Sequence, residues 1–284
     1  MNKKKTIAGA LLTSTLATAL AAYLAASRAA CRDEKQKKAL GALRHRLFAH
    51  RGLFDNEGDA PENTLAAFSL AVEKGVGIEL DVHLTADGKI AVAHDDSLLR
   101  ICKKDLRISE SAYADIRGER IFSSDEGIPL LSEVLSLVNG RVPLLIEIKV
   151  DNNNYEPLCD ALAAELCGYD GEILLQSFDP RALSYLAKIC KRYPIGQLAA
   201  NFKGKAPGRG RAVSIASRTL LLNALSRPDF VSYEEKSVDP LAALSMKFWR
   251  PVRFVWTVKE AESAKKELEK GRYVIFEGFD PSVI

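Results

Sequence analysis

The chain has 284 residues, a hydrophobic fraction of 47%, a charged fraction of 27% and a net charge of +3. This length suits one domain of the (β/α) type, and the composition is that of an ordinary folded protein. The charge is too small to indicate a nucleic-acid partner, and no basic–aromatic motif or zinc-finger spacing supports one. The five cysteines are scattered and odd in number, which argues against a disulfide framework.

Residues 1–40 form a separate segment in the sequence. Three lysines precede an uncharged run over residues 6–26, which is just long enough to span a bilayer. We predict a hydrophobic N-terminal helix that anchors the chain in a membrane. A signal that is cleaved on secretion and a soluble amphipathic tail are the alternatives. Three lysines precede the run and five basic residues follow it closely. Because basic residues tend to stay on the cytoplasmic side, this excess predicts a cytoplasmic location for the remainder of the chain.

From residue 41 to residue 284, β-rich runs alternate with helical patterns, as in a parallel sheet with crossover helices. Eight strands are predicted, at residues 47–50, 77–82, 143–149, 172–177, 195–199, 230–233, 253–258 and 273–276. Helices are clearest at 63–73 and 130–138. This order predicts a (β/α)8 TIM-type barrel, with an open doubly wound sheet as the alternative. Residues 96–128 break the alternation and are predicted to be a small insertion after the second strand.

The dipeptide Asp87-Gly88 predicts a two-residue hairpin turn between the second strand and a return strand at 89–94. That turn places Asp81 directly opposite His94, and Glu79 lies on the same face because side chains repeat every two residues. Two carboxylates and an imidazole on one surface suit a divalent metal with an acid–base group beside it. An exposed polar hairpin is the alternative.

Polar residues cluster at the ends of five predicted strands. They are His50 and Arg51, Glu79 and Asp81, Glu147 and Lys149, Gln176, and Trp256. The carboxyl ends of barrel strands are where barrel enzymes build their sites. Glu147 lies within an apolar strand, where a carboxylate needs a partner. That partner is either a cation bound from outside or Lys149.

Seven short motifs occur in order along residues 46–280 and together resemble the glycerophosphodiester phosphodiesterases. They are His50-Arg51-Gly52, Pro61-Glu62-Asn63-Thr64, Glu79-Leu80-Asp81-Val82, Thr85-x-Asp87-Gly88, Val92-x-His94-Asp95, Glu147-Ile148-Lys149 and Trp256-Thr257-Val258. Residues 96–128 coincide with the place where this family inserts a small subdomain. The resemblance also implies the barrel.

The resemblance implies metal-dependent hydrolysis of glycerophosphodiesters to sn-glycerol 3-phosphate and an alcohol. The implied roles are metal ligation by Glu79, Asp81 and Glu147, acid–base catalysis by His50 and His94, phosphate contact by Arg51 and Lys149, and a pocket wall at Trp256. Three carboxylates favour Mg²⁺ or Ca²⁺ over zinc. The alternatives are an enzyme of phospholipase D or C type acting on lysophospholipids or phosphoinositides, and a non-catalytic barrel that binds glycerophosphodiesters.

Two stretches depart from the simplest expectation. The last strand is followed by Glu277 where many relatives carry an Asp-containing ending, so its contribution to the pocket is not predicted. Residues 201–211 include four basic side chains. We interpret this stretch as a solvated loop, with contact to anionic lipid headgroups as the alternative. His83 is expected to be peripheral.

Overall fold

The computed structural model describes residues 3–30, 33–43, 46–201 and 210–284. The described residues contain nine strands: β1 Leu47–His50, β2 Gly77–Leu84, β3 Ile90–Val92, β4 Leu144–Ile148, β5 Ile173–Ser177, β6 Ile195–Ala199, β7 Phe230–Glu234, β8 Val252–Val258 and β9 Tyr273–Phe276. All eight predicted strands are present, with bounds that agree within two residues. The predicted basic loop lies largely outside the described residues, because 202–209 are not among them.

The sheet closes on itself. Strand β1 pairs in parallel with β2 on one side and with β9 on the other, and the remaining parallel strands follow in chain order. This closure confirms the eight-stranded barrel and excludes the open doubly wound sheet. Strand β3 pairs antiparallel with β2 and lies outside the closed ring.

Among the described residues, two helices precede β1, and the others lie in the connections between strands. The helices are α1 Lys3–Ala26, α2 Glu34–Ala42, α3 Leu65–Glu73, α4 Leu99–Cys102, α5 Tyr113–Ile116, α6 Leu131–Val138, α7 Tyr155–Glu165, α8 Pro180–Ile189, α9 Arg211–Arg218, α10 Asn223–Ser226, α11 Pro240–Trp249 and α12 Ala261–Glu269. The Thr64 hydroxyl caps α3 by accepting from Ala67 N, and α6 ends at Asn139 with φ 45°. Both helices confirm the predicted segments.

Two apolar cores lie on opposite sides of the barrel wall. The outer core fills the space between strands and helices. The inner core is half aromatic and consists of Leu40, Phe48, Leu145, Leu174, Phe230, Phe254, Tyr273 and Ile275. Side chains alternate along a strand, so residues two positions beyond the inner core point to the same side. This rule directs His50, Glu147, Gln176 and Trp256 into the carboxyl end of the barrel, above the inner core.

The predicted membrane-spanning helix at residues 6–26 is not confirmed. Among the helices in the described part of the chain, none combines the length and apolar character needed to cross a bilayer. Four threonines and one serine dilute the apolar residues of this run. The end of α1 contacts the barrel domain, where Trp249 Nε1 donates to Leu24 O (2.8 Å) and Asn223 Nδ2 donates to Ser27 O (2.9 Å).

Residues 96–128 contain α4, α5 and a short 3₁₀ turn at Ile108–Glu110. They have an apolar cluster of their own, formed by Leu98, Ile101, Cys102, Ile108, Ile116, Ile121 and Ile128 together with Ala91 and Ala93. Ala91 belongs to β3, and Ala93 follows it. The cluster therefore attaches this region to the hairpin that carries His94.

The predicted hairpin register is wrong by one residue. In the structure Val82 pairs with Val92, and Leu84 pairs with Ile90. The turn is a three-residue loop in which Gly88 N donates to Thr85 O at 3.0 Å, and Gly88 has φ 78°. A type I turn followed by a left-handed glycine is the usual form of such a loop. Asp81 therefore lies opposite Ala93 rather than His94.

The inner core predicts a clear contrast between two phenylalanines. Phe254 is fully buried, and its ring centroid lies 4.6 Å from that of Tyr273 and 4.8 Å from that of Phe230. We expect Phe254→Ala to lower the free energy of unfolding by about 3–5 kcal/mol, since it leaves a cavity. The matched change Phe248→Ala removes a ring that is 59% exposed and should cost less than about 0.5 kcal/mol. Urea unfolding measures both, and equal losses would contradict this assignment of the core.

Candidate active site

Three buried carboxylates meet at the carboxyl end of the barrel. Glu79 and Asp81 lie two residues apart on β2, and Asp81 is in register with Glu147 on the neighbouring β4. Their exposed fractions are 2%, 1% and 7%. One oxygen from each lies within 4.8 Å of the others. The three acids meet because side chains alternate along each strand and because β2 and β4 pair in this register.

Only part of this negative charge is balanced by the protein itself. Lys149 Nζ lies 2.9 Å from Asp81 Oδ1 and 2.7 Å from Glu147 Oε1. Burial opposes the charge on Lys149, but these two carboxylates raise its pKa overall. Burial and repulsion from Asp81 and Glu147 raise the pKa of Glu79 well above its ordinary value. The pKa of Asp81 is lowered despite its burial, chiefly by Lys149, His94 and Arg51.

The donor set fits a hard divalent cation. Carboxylate oxygens are the ligands that Mg²⁺ and Ca²⁺ prefer, and the three acids offer at least one oxygen each at a single point. Burial, together with repulsion from Asp81 and Glu147, raises the pKa of Glu79, and a bound cation would favour its ionised form. These residues could therefore hold a metal ion.

A cavity of about 150 Å³ opens beside the carboxylates. Seven of the eight predicted site residues line it, namely His50, Arg51, Glu79, His94, Glu147, Lys149 and Trp256. The eighth, Asp81, lies behind the cavity wall, where it accepts a hydrogen bond from Asn63 Nδ2 at 3.0 Å. Gln176 also lines the cavity and donates to Glu79 Oε1 at 3.3 Å. The structure thus brings all eight residues to one place.

Arg51 is held in an unusual backbone conformation beside the acids. Its φ is 57°, and its backbone N–H donates to Glu79 Oε2 at 3.2 Å. Its side chain donates from Nη1 to Glu62 Oε1 at 2.8 Å, and its Nε lies 3.6 Å from Asp81 Oδ2. The next residue, Gly52, has φ 85°, and a Cβ there would lie 2.9 Å from Ala67. Only glycine fits, and the turn aims Arg51 at the carboxylates.

His50 and His94 each contact a carboxylate through Nδ1. His50 Nδ1 lies 2.6 Å from Glu277 Oε2, and His94 Nδ1 lies 2.7 Å from Asp95 Oδ1. Such a carboxylate fixes the ring orientation and directs Nε2 toward the cavity. The hydrogen bond with His50 and the nearby Lys259 lower the pKa of Glu277 to about 2. The carboxylate therefore stays ionised beside the imidazole.

Each of the two carboxylates also contacts a cation. Lys259 Nζ lies 2.6 Å from Glu277 Oε1, and Arg100 Nε donates to Asp95 Oδ2 at 2.5 Å. Arg100 makes two further bonds to Glu62, at 2.6 and 3.0 Å. Arg100 belongs to α4 in the 96–128 region, so this region supplies a cation that connects the two histidine-bearing loops.

Trp256 forms part of an apolar wall of the cavity. Its ring stands edge-on to Phe178, with centroids 5.8 Å apart, and Leu198 and Ile275 also line the cavity. The charged groups described above line the same cavity. The cavity therefore suits a bound molecule that has a polar and an apolar part.

Sequence reasoning missed the partners of the two histidines. Glu277 and Asp95 were not assigned to the site. The signals were an acid directly after the last strand and an acid adjacent to His94. Glu277 is 227 residues from His50, so the first pairing depends on barrel closure.

Comparison with known proteins identifies the family of the chain. A model of the glycerophosphoryl diester phosphodiesterase family matches residues 50–275. The chain belongs to this family. A glycerophosphodiester phosphodiesterase of Bacillus altitudinis is 42% identical over 117 residues, 39% of this chain and 46% of that protein. One from Caldanaerobacter subterraneus is 35% identical over 164 residues, 54% of this chain and 65% of that protein. The chain thus spans roughly half to two thirds of these curated relatives.

Two further comparisons concern a human protein and solved structures. A human lysophospholipase D is 36% identical over 118 residues, 37% of this chain and 36% of that protein. An Oleispira antarctica phosphodiesterase, solved with its product sn-glycerol-3-phosphate, has a TM-score of 0.68 at 24% identity and covers 84% of this chain and 95% of its own. A Thermotoga maritima glycerophosphodiester phosphodiesterase has a TM-score of 0.62 at 24% identity, over 83% and 95%. At this identity the structures show a shared fold.

The three carboxylates predict a measurable change in metal binding. We expect Glu147→Gln to weaken binding of Mg²⁺ or Ca²⁺ about tenfold or more, because a neutral amide replaces one of three hard donors. Calorimetric titration of the full chain measures this. Glu57→Gln changes an exposed carboxylate outside the cavity and should bind as the wild type does. Equal affinity in the Glu147 variant would reduce Glu147 to an ion-pair partner of Lys149.

Proposed function

We propose that the protein hydrolyses glycerophosphodiesters to sn-glycerol 3-phosphate and an alcohol, with a bound divalent cation. The observation that carries this proposal is the pair of carboxylate-backed histidines lining the same cavity as the three-carboxylate group. Family membership supports it, as do relatives named glycerophosphodiester phosphodiesterase. A structural neighbour that binds sn-glycerol-3-phosphate agrees with the proposed product.

We assign Glu79, Asp81 and Glu147 as the ligands of Mg²⁺ or Ca²⁺. When bound, the ion supplies positive charge next to the phosphodiester. Arg51 and Lys149 line the same cavity and supply further positive charge through N–H donors, which stabilises the charge that builds on the phosphoryl oxygens. Both side chains are anchored by acids, so they face the substrate without reorganising.

His50 and His94 act as the acid–base pair. One accepts a proton from the nucleophile, which is either water or the substrate's own glycerol hydroxyl, and the other donates a proton to the oxygen of the leaving alcohol. If the glycerol hydroxyl attacks, water then opens the resulting cyclic phosphate to give glycerol 3-phosphate. Glu277 and Asp95 contact Nδ1 of each ring and fix its orientation. Trp256 and its apolar neighbours exclude water from one side of the glycerol or headgroup.

The proposed reaction is tested on the full chain. We expect release of glycerol 3-phosphate from glycerophosphocholine and glycerophosphoethanolamine in the presence of Mg²⁺ or Ca²⁺, and loss of release with a chelator. A coupled glycerol 3-phosphate dehydrogenase assay detects the product. No release from a folded, metal-loaded sample would overturn the proposed function. Release that survives the chelator would remove the metal from it.

The proposed acid–base roles are tested by substitution. We expect His50→Ala and His94→Ala each to lower kcat about 10²–10⁴-fold, since each removes one proton-transfer group. Metal affinity and the unfolding midpoint should stay close to the wild-type values because neither ring is a proposed ligand. Gln197→Ala provides a control at the same barrel end, outside the cavity lining. A wild-type kcat in either histidine variant would remove that residue from the mechanism.

A second candidate is hydrolysis of lysophospholipids. The human relative is named a lysophospholipase D, and the apolar wall at Trp256, Phe178 and Leu198 is compatible with an acylated glycerol. Glycerophosphocholine and lysophosphatidylcholine both release choline and differ only in the acyl chain, so one choline assay compares them. A higher kcat/KM for the lysolipid would favour this candidate. The N-terminal membrane anchor and the cytoplasmic location stay predictions.

A further inference from the structure

His83 is a buried histidine just outside the proposed catalytic set. It lies on β2 two residues beyond Asp81 and is 2% exposed. Its Nδ1 lies 2.6 Å from Asp151 Oδ2, and its Nε2 lies 3.2 Å from the backbone carbonyl oxygen of His94. Each ring nitrogen of His83 thus has an oxygen atom as its partner. His83 thus connects Asp151 to the main chain of His94.

The main chain of His94 needs such a support. Strand β3 ends at Val92, so His94 lies in the connection that leads into the 96–128 region. The last ladder-like bond before it is from Ala93 N to Asp81 O, at 3.1 Å. Beyond His94 a second cavity of about 370 Å³ opens, and His83 and Asp151 line it. His94 lines this cavity as well as the 150 Å³ one. Close packing alone therefore does not fix the position of His94.

Asp151 is itself held in place. Its backbone N–H donates to Asn154 Oδ1 at 2.9 Å, which fixes the loop after β4. The chain of contacts therefore runs from the loop after β4 through His83 to the carbonyl of His94. Asp95 fixes the other end of the same residue by contacting its ring nitrogen. The peptide and the side chain of His94 are thus restrained separately.

We propose that His83 is a positioning residue for His94 in the hydrolysis described above, with Asp151 orienting His83. This inference rests on the proposed function. His83 does not line the 150 Å³ cavity, and its ring contacts the backbone carbonyl of His94, so we assign its effect to the position of His94. Its ring fixes the carbonyl of His94 and thereby the direction in which the catalytic imidazole points.

A metal ion on His83, Asp96 and Asp151 is the competing interpretation, because their donor atoms lie within 4.8 Å of one another. The contacts favour positioning. Both His83 nitrogens are engaged, and Asp96 Oδ2 lies 2.6 Å from Arg107 Nη2. An ion would have to displace these partners.

A double-mutant cycle tests the positioning role. We expect His83→Ala to lower kcat about 10- to 100-fold, with KM and the metal requirement little changed, since a misdirected catalytic group costs about that much. In a His94→Ala background the same change should have no further effect on kcat, because the group it positions is absent. His83→Gln keeps an N–H donor and should recover part of the loss. Equal losses in both backgrounds would make His83 merely structural and overturn the proposal.

Ser177→Ala is the matched control. Ser177 is buried at the same barrel end and donates to the Ile148 carbonyl at 2.8 Å. It lines the second cavity as His83 does and has no contact with His94 among its hydrogen bonds. Its effect on kcat should be the same with and without the His94 side chain.

A spectroscopic measurement separates this inference from the proposed function. Histidine ¹H–¹⁵N correlation spectra of the full chain, assigned with the His50 and His94 variants, report each ring directly. We expect His83→Gln and His83→Ala to shift the His94 signals and leave those of His50 in place. Unchanged His94 signals would overturn the positioning role. If the wild type released no glycerol 3-phosphate, the proposed function would be overturned. The spectra would still show whether His83 positions the His94 ring.

Discussion

The burial of three carboxylates at one point is the constraint on which the rest of the site depends. Removing ionised acids from water is costly unless opposite charge lies close by. Glu79, Asp81 and Glu147 are forced together by strand parity and register, with Lys149 between two of them. The left-handed backbone conformation of Arg51 helps to offset this cost, because it brings both a backbone N–H and a guanidinium to the acids. A divalent cation would complete the balance.

The charges around this centre alternate outward until they reach the histidines. From Asp81 the sequence of contacts runs through Arg51, Glu62, Arg100 and Asp95 to His94. A shorter one runs from Lys259 through Glu277 to His50. Each acid thus lies between two positively charged or protonatable groups, which keeps it ionised without leaving net charge buried. The ring of His94 is therefore oriented by a series of charges that begins at the three acids, and the ring of His50 is oriented by the separate pair Lys259 and Glu277.

The sequence predicted the barrel and the members of the site, but not the contacts among them. Eight apolar runs of strand length define the strands, and parity within each run directs Glu79, Asp81 and Glu147 inward. The hairpin register could not be obtained in this way. The Thr85 hydroxyl donates to Asp87 Oδ1 (2.6 Å) and accepts from Lys89 N (2.8 Å), so the loop closes one residue earlier than Asp87-Gly88 alone implies. His94 still reaches the cavity, because it lies beyond the end of β3, where ladder parity no longer applies.

The two histidines stand on different parts of the fold. His50 ends β1 and contacts the residue that follows β9, so the barrel wall itself holds it. His94 is restrained by residues from a hairpin, from the loop after β4 and from α4 of the 96–128 region. Since that region has its own apolar cluster, a change in its packing reaches His94 through Arg100 and Asp95, and it reaches the loop after His50 one contact further on, through Glu62. The position of His94 thus depends on how the 96–128 region sits on the hairpin, while His50 and the three carboxylates are placed by neighbouring strands of the barrel.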